Sequence, residues 1–267
     1  MPPVNQVVAI GAKAHAALRA SRSIARPLAA FPDAPYYEAD GVVIWVGARL
    51  PAMHPRAVLT AKPVARGHAV SFGTLPPRSW TANLPAPAYE VAAGLRRLLD
   101  AVAHLGEPRG FGTLLVGRAP AFPLHLAVER VRALANAFAA NDPAAAYDSS
   151  CALLGVGGGL TPSGDDLAGG AIFGRLLVAA ERAPWCEVGR RIAARAHEAS
   201  HAISAALLAD LTAGVSFAPL HTLADALAQG DSIAAFAAAR ELAALGHSSG
   251  WDMLVGLTIG VTGELGH

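Results

Sequence analysis

Two segments far apart in the chain share one pattern. Ser163-Gly164-Asp165-Asp166 is followed at four-residue steps by Gly170 and Gly174, and Ser249-Gly250-Trp251-Asp252 by Gly256 and Gly260. Both read SGxDxxxGxxxG. Residues four apart lie on one face of a helix, so each segment predicts a helix with aspartate in its first turn and a glycine face below it. Glycine inside a helix costs roughly 1 kcal/mol relative to alanine. Two per helix call for a reason, and close approach of another backbone is the usual one. The expectation is therefore that the two helices cross at their glycine faces, with their N-termini at the same end.

Such an end is a chemical feature. Helix N-termini carry unpaired N–H groups and a partial positive charge. Fed by the glycine-rich loops GVGGG and GHSSG, they would suit an anionic or carbonyl group. The candidate binding residues are Gly157, Gly158, Gly159, Thr161, Ser163 and Gly164 from the first motif. The second contributes His247, Ser248, Ser249 and Gly250. Asp165, Asp166 and Asp252 are the candidate catalytic carboxylates. They would repel a bare phosphate. A Mg²⁺ ion shared between carboxylate and phosphate would reconcile the two, and Mg²⁺ is the one candidate cofactor. A ligand with amide N–H donors beside an acceptor oxygen would need no metal. The plain alternative is that these serines and aspartates only cap helices and the glycines only turn the chain.

The rest of the chain bounds the fold. Its 267 residues are 53% hydrophobic, with much alanine and few aromatics, which favours closely packed helices. Before residue 120, short apolar runs are broken by glycine and proline: Val42–Val46, Ala57–Thr60, Ala69–Phe72 and Phe111–Val116. They predict strands, interrupted by one helix over Tyr89–Leu105. After residue 120 the spacing is helical. Helices are expected over Leu124–Ala140, after the Asp142-Pro143 cap, over Trp185–Leu211 and Ser216–Gly230, and from the Asp231 cap to Leu245. The fold class is α+β: a small β-rich N-terminal part, barrel or sandwich-like, over residues 1–122, and an all-α helical bundle over 123–267 that carries both motifs.

Charges nearly cancel, at a formal net of +1, and no basic stripe points to nucleic acid. The uncharged runs at Cys151–Gly164 and Met253–Gly263 are too short and glycine-rich to span a bilayer. Two cysteines without CxxC spacing suit a reducing interior. A cytoplasmic protein is expected.

Other motifs compete. His197-Glu198-Ala199-Ser200-His201 matches HExxH, a zinc-hydrolase helix signature, with His221 or Glu241 as a third ligand. Arg195 and the lack of a downstream histidine extension count against zinc, so no metal site is assigned. The SGDD turn also resembles the anion-hole helix of ribokinase-like sugar kinases, but the strand–helix alternation of that fold is missing. There is no P-loop and no GxSxG elbow.

GVGGGLTPSGDD together with GHSSGWD resembles a bacterial family typified by the AllH subunit of oxamate carbamoyltransferase. Length, a β-rich first half and the order of both motifs agree with it. So does the serine segment Ile203-Ser204-Ala205 between them, although the family has threonine before that segment where this chain has Ser200 and His201. The resemblance implies a carbamoyltransferase subunit of allantoin and purine catabolism. It would work with other protein subunits on a small carbamoyl-, carboxylate- or phosphate-bearing metabolite. A non-catalytic ligand-binding or scaffold subunit is the alternative from another class, and an HExxH zinc hydrolase the second alternative.

Overall fold

The computed structural model describes residues 4–29, 36–65 and 67–265. It divides into two compact units, Met1–Ala82 and Asn83–His267. The first is a seven-stranded sheet with one helix, the second is helical, and together they are the α+β architecture expected.

The sheet strands are β1 (Val4–Asn5), β2 (Val7–Ile10), β3 (Ile24–Ala29), β4 (Tyr36–Ala39), β5 (Val42–Gly47), β6 (Ala57–Thr60) and β7 (Val70–Phe72), in the order β1-β7-β3-β4-β5-β6-β2. The two outer strands, β1 and β2, are consecutive in the chain and separated only by Gln6, so the sheet nearly closes on itself. β1–β7 and β5–β6 pair in parallel and the rest antiparallel. Helix α1 (Ala12–Ala20) lays Ala14, Ala17 and Leu18 into a core with Ile10, Ile44, Val46 and Val58.

The helical unit holds α2 (Glu90–Asp100), α3 (Val128–Ala139), α4 (Pro143–Cys151), α5 (Ser163–Val178), α6 (Ala183–Ala199), α7 (Ala202–Thr212), α8 (Ala218–Gln229), α9 (Ser232–Ala243) and α10 (Ser249–Thr262). Asp142 caps α4 and Asp231 caps α9, each carboxylate accepting two backbone N–H groups at 2.9–3.1 Å. At the far end of α5, Arg175 lies over the rings of Phe138 and Trp185 and donates to the Phe138 carbonyl.

Three local expectations are corrected. Phe111–Val116 is not a strand but part of a 3-10 segment, Gly110–Val116. A Cβ on Gly112 would sit 2.7 Å from that of Trp251, so this segment packs against α10 instead of joining a sheet. The helix expected over Trp185–Leu211 breaks at Ser200, which is extended between α6 and α7. The helices expected over Tyr89–Leu105 and Leu124–Ala140 each include a 3-10 turn, Val102–His104 and Leu124–Ala127.

Candidate functional site

The helices α5 and α10 run parallel and touch through their glycine faces. A Cβ on Gly170 would meet the Met253 carbonyl at 2.6 Å, and one on Gly174 the Leu257 carbonyl at 2.6 Å. In return, one on Gly256 would strike the Leu167 carbonyl and one on Gly260 that of Ala171. Each glycine thus faces the residue three before its counterpart on the other helix. The contact has local two-fold symmetry, and it brings both N-termini to one end.

Hydroxyls meet there. Thr161 Oγ1 and Ser249 Oγ are 3.0 Å apart, and Ser163 Oγ and Ser248 Oγ 3.3 Å. Asp166 and Asp252 stand one turn into each helix and are 5% and 0% exposed. They are buried between the elements rather than spread along an open pocket wall. Asp252 Oδ1 accepts the Phe111 N–H at 2.7 Å, while Oδ2 has no hydrogen-bond partner. Asp166 Oδ2 also has none. Burial pushes the Asp166 carboxyl well above the carboxylate range and the nearby Asp252 charge adds to this, against the pull of the Ser249 hydroxyl. Burial raises Asp252 to about 7, opposed by the Phe111 N–H and by the Ser163 and Ser248 hydroxyls.

Asp165 has different surroundings. Its Oδ1 accepts the Gly155 N–H at 2.7 Å, and its Oδ2 accepts the hydroxyls of Ser200 at 2.5 Å and Ser204 at 2.6 Å. It ties the start of the glycine loop and the α6–α7 break to α5. Within the loop, Gly157 (φ 112°) lies against Ser163, while Gly158 and Gly159 are exposed with open space around them. Gly164 and Gly250 are buried, and their N–H groups donate to the carbonyls of Val156 and Leu245. Those two donors are therefore already engaged. His247 is exposed, and its carbonyl accepts from Arg109.

Gly110 and Phe111 belong to this end of the helix pair and carry no signal in the motifs themselves. Gly110 has φ 56°, and a Cβ there would collide with the Asp252 carboxylate. The two glycines flanking Phe111 were the available clue. Beside the second motif a cleft of about 510 Å³ is lined by Arg109, Arg240, Glu241, Gly246 and Trp251 among others.

The HExxH residues do not form a helical metal pair. His197 lies in the last turn of α6, while His201 lies beyond the break as the residue before α7. Glu198 pairs with Arg195. His221 is buried and its Nε2 accepts the Ser216 N–H at 3.0 Å. No group of three or more His, Cys, Asp or Glu side chains among the described residues could hold a metal ion.

Residues 153–261, which run from the turn before the glycine loop through nearly all of α10, match a family model described as oxamate carbamoyltransferase subunit AllH. Over this segment, less than half of its length, the chain is similar to the AllH family. The AllH match holds both glycine motifs, Asp165, Asp166, Asp252 and the two serines that bind Asp165. It leaves out the sheet unit and the 3-10 segment that carries Phe111. The family description implies a subunit associated with a carbamoyltransferase, and a subunit implies protein partners. No curated protein and no solved structure gives a significant match. No helix among the described residues is long and apolar enough to cross a membrane.

Proposed function

We propose that the joined N-termini of α5 and α10 bind the carbamoyl or ureido group of a small anionic metabolite, in a carbamoyltransferase assembled with other subunits. The observation that carries this reading is the pair Asp166 and Asp252. Both carboxyls are buried, both keep one oxygen without a partner, and both stand at the same end of two parallel helices. Burial and the neighbouring Asp252 charge favour the neutral form of Asp166, while Asp252, at about 7, is close to half-ionised near neutral pH. A protonated and an ionised carboxyl offer a donor beside acceptors. That is the complement of an amide, whose oxygen accepts and whose nitrogen donates.

The hydroxyls of Thr161, Ser163, Ser248 and Ser249 can accept or donate as the ligand requires. The positive ends of both helices favour the carboxylate or phosphate that such a metabolite carries. The open loop at Gly158–Gly159 and the cleft at Arg109 and Arg240 are the approaches to this end. In this reading Asp165 positions the loop, and Asp166 and Asp252 meet the ligand.

Calorimetry with oxamate, carbamoyl phosphate and N-carbamoyl amino acids, with and without Mg²⁺, is the test. Asp166→Asn, which replaces the carboxyl O–H donor by an amide of different reach, should weaken binding by about 0.5–1.5 kcal/mol, the size of one neutral hydrogen bond. A folded Asp166→Asn protein with unchanged binding and full activity in the assembled complex would refute the role.

A second reading, a scaffold subunit, draws on Phe122 and Leu126, which are 79% and 68% exposed. They flank Leu124, whose side chain reaches Gly157 of the glycine loop. Normal complex activity after replacement of both aspartates, lost instead with Phe122→Ser, would favour it.

A further inference from the structure

A cleft of about 460 Å³ opens on the sheet unit, between the second half of α1 and the segment that follows β7. His15, Arg19, Ser23 and Thr74 line it, and no Asp or Glu does. His15 and Arg19 are four residues apart and share one face of α1. Among the described residues, none of these four side chains has a protein hydrogen-bond or ion-pair partner. Arg19, in the last turn of α1, complements the negative end of that helix. That role explains one cation but not the three other polar groups beside it.

The wall at Ser23 is held in an uncommon backbone conformation. Arg22 and Ser23 have φ of 54° and 60°, two successive non-glycine residues in the left-handed region, which L-residues seldom adopt. The Ser23 N–H donates to the Leu18 carbonyl at 2.7 Å, and the Ser23 carbonyl accepts the Phe72 N–H at 2.9 Å. These bonds fix the turn from which Ser23 faces the cleft.

We propose that this cleft binds the phosphoryl group of a small phosphorylated metabolite. A guanidinium, an imidazole and two hydroxyls are donors arranged without a competing carboxylate, and a phosphoryl group offers three acceptor oxygens to meet them. The cleft is larger than one phosphate, which leaves room for the organic remainder. The site stands apart from the AllH match, which begins at residue 153, and does not depend on the role given to Asp166 and Asp252.

The test is amide chemical-shift mapping of the full chain with inorganic phosphate and with carbamoyl phosphate, followed by calorimetry on Arg19→Ala, Arg19→Lys and His15→Ala. Both probes should shift amides within residues 15–23 and 73–75. Arg19→Ala should weaken phosphate binding at least about tenfold, or about 1.4 kcal/mol, with partial recovery in Arg19→Lys. Circular dichroism should show all three variants folded, since Arg19 is exposed and His15 half-buried. Shifts confined to residues 155–166 and 247–252 would overturn the proposal. So would the absence of saturable phosphate binding, equal affinity in Arg19→Ala, or acetate competing as well as phosphate.

Discussion

The carboxylate of Asp252 accepts the backbone N–H of Phe111 at 2.7 Å, across 141 positions of chain. That bond joins the start of α10 to a 3-10 segment, and it engages only one of the two carboxylate oxygens. The other is buried without a hydrogen bond of its own, and the nearby Ser163 and Ser248 hydroxyls only partly offset the cost of burial. The carboxyl therefore favours its neutral form, which gives it a definite signature in pH.

Asp252 is raised to about 7 in the folded chain, against about 3.9 when unfolded. Between these values the folded state holds the proton more tightly. Its contribution to stability is fully present below about pH 4, is lost as pH rises to about 7, and is constant above that. Asp252→Asn keeps an acceptor for Phe111 and removes the buried charge. Urea unfolding should show the variant gaining on the wild type by up to a few kcal/mol at alkaline pH, with the gain shrinking towards pH 4. A difference that is the same at both ends would contradict this account.

Asp165 should behave as a structural clamp. Asp165→Ala leaves the Gly155 N–H and the hydroxyls of Ser200 and Ser204 without their acceptor. Stability should fall by about 2–5 kcal/mol, and hydrogen exchange at Gly155 should accelerate. Asp165→Asn, which retains one carbonyl oxygen, should recover part of the loss. Wild-type stability in Asp165→Ala would mean that these bonds are immaterial.

Glycines of the same motif should divide by their surroundings. Gly256→Ala drives a methyl group into the Leu167 carbonyl, and overpacking of this kind costs about 1–3 kcal/mol or more. The better helix propensity of alanine offsets only about 1 kcal/mol of that. Gly158→Ala adds a methyl group in open space and should stay within about 0.5 kcal/mol of wild type. Thermal melts of the two variants side by side would expose an error in the crossing if they lost the same amount.

Zinc should not bind stoichiometrically at His197 and His201, because the chain breaks between them and Glu198 is engaged by Arg195. Elemental analysis after dialysis against zinc is the check. Near-equimolar metal that disappears in a His197→Ala/His201→Ala double variant would reverse the conclusion.

The helical half was readable because its determinants are local. Four-residue glycine steps, the Asp142 and Asp231 caps and apolar spacing each act within a few turns. β5, β6 and β7 were readable as short apolar runs. β3 and β4 were not: Pro27 interrupts IARPLA, which pairs on one side with the distant β7, and YYEA is a short run without apolar alternation that forms a hairpin with β5 across Asp40-Gly41. Phe111–Val116 failed in the opposite direction: its apolar run lies against Trp251 and Asp252 instead of another strand. Within the site, the residue types were legible but not the division of labour. Asp165 and Asp166 are adjacent, yet successive side chains on a helix point about 100° apart. One turns to Ser200 and Ser204, the other towards α10. The same break that gives Ser200 to Asp165 dissolved the HExxH pattern.

The glycine crossing also has a mechanical meaning. Where α5 and α10 meet, backbone presses on backbone, and backbone has no rotamers with which to absorb a displacement. The pair can slide or part only as a whole. Asp166 and Arg175 lie roughly 14 Å apart along α5, at opposite ends of this stiff contact, and Arg175 is gripped by Phe138 and Trp185. A displacement of α5 at Asp166 would therefore have to carry α10 and the aromatic grip with it.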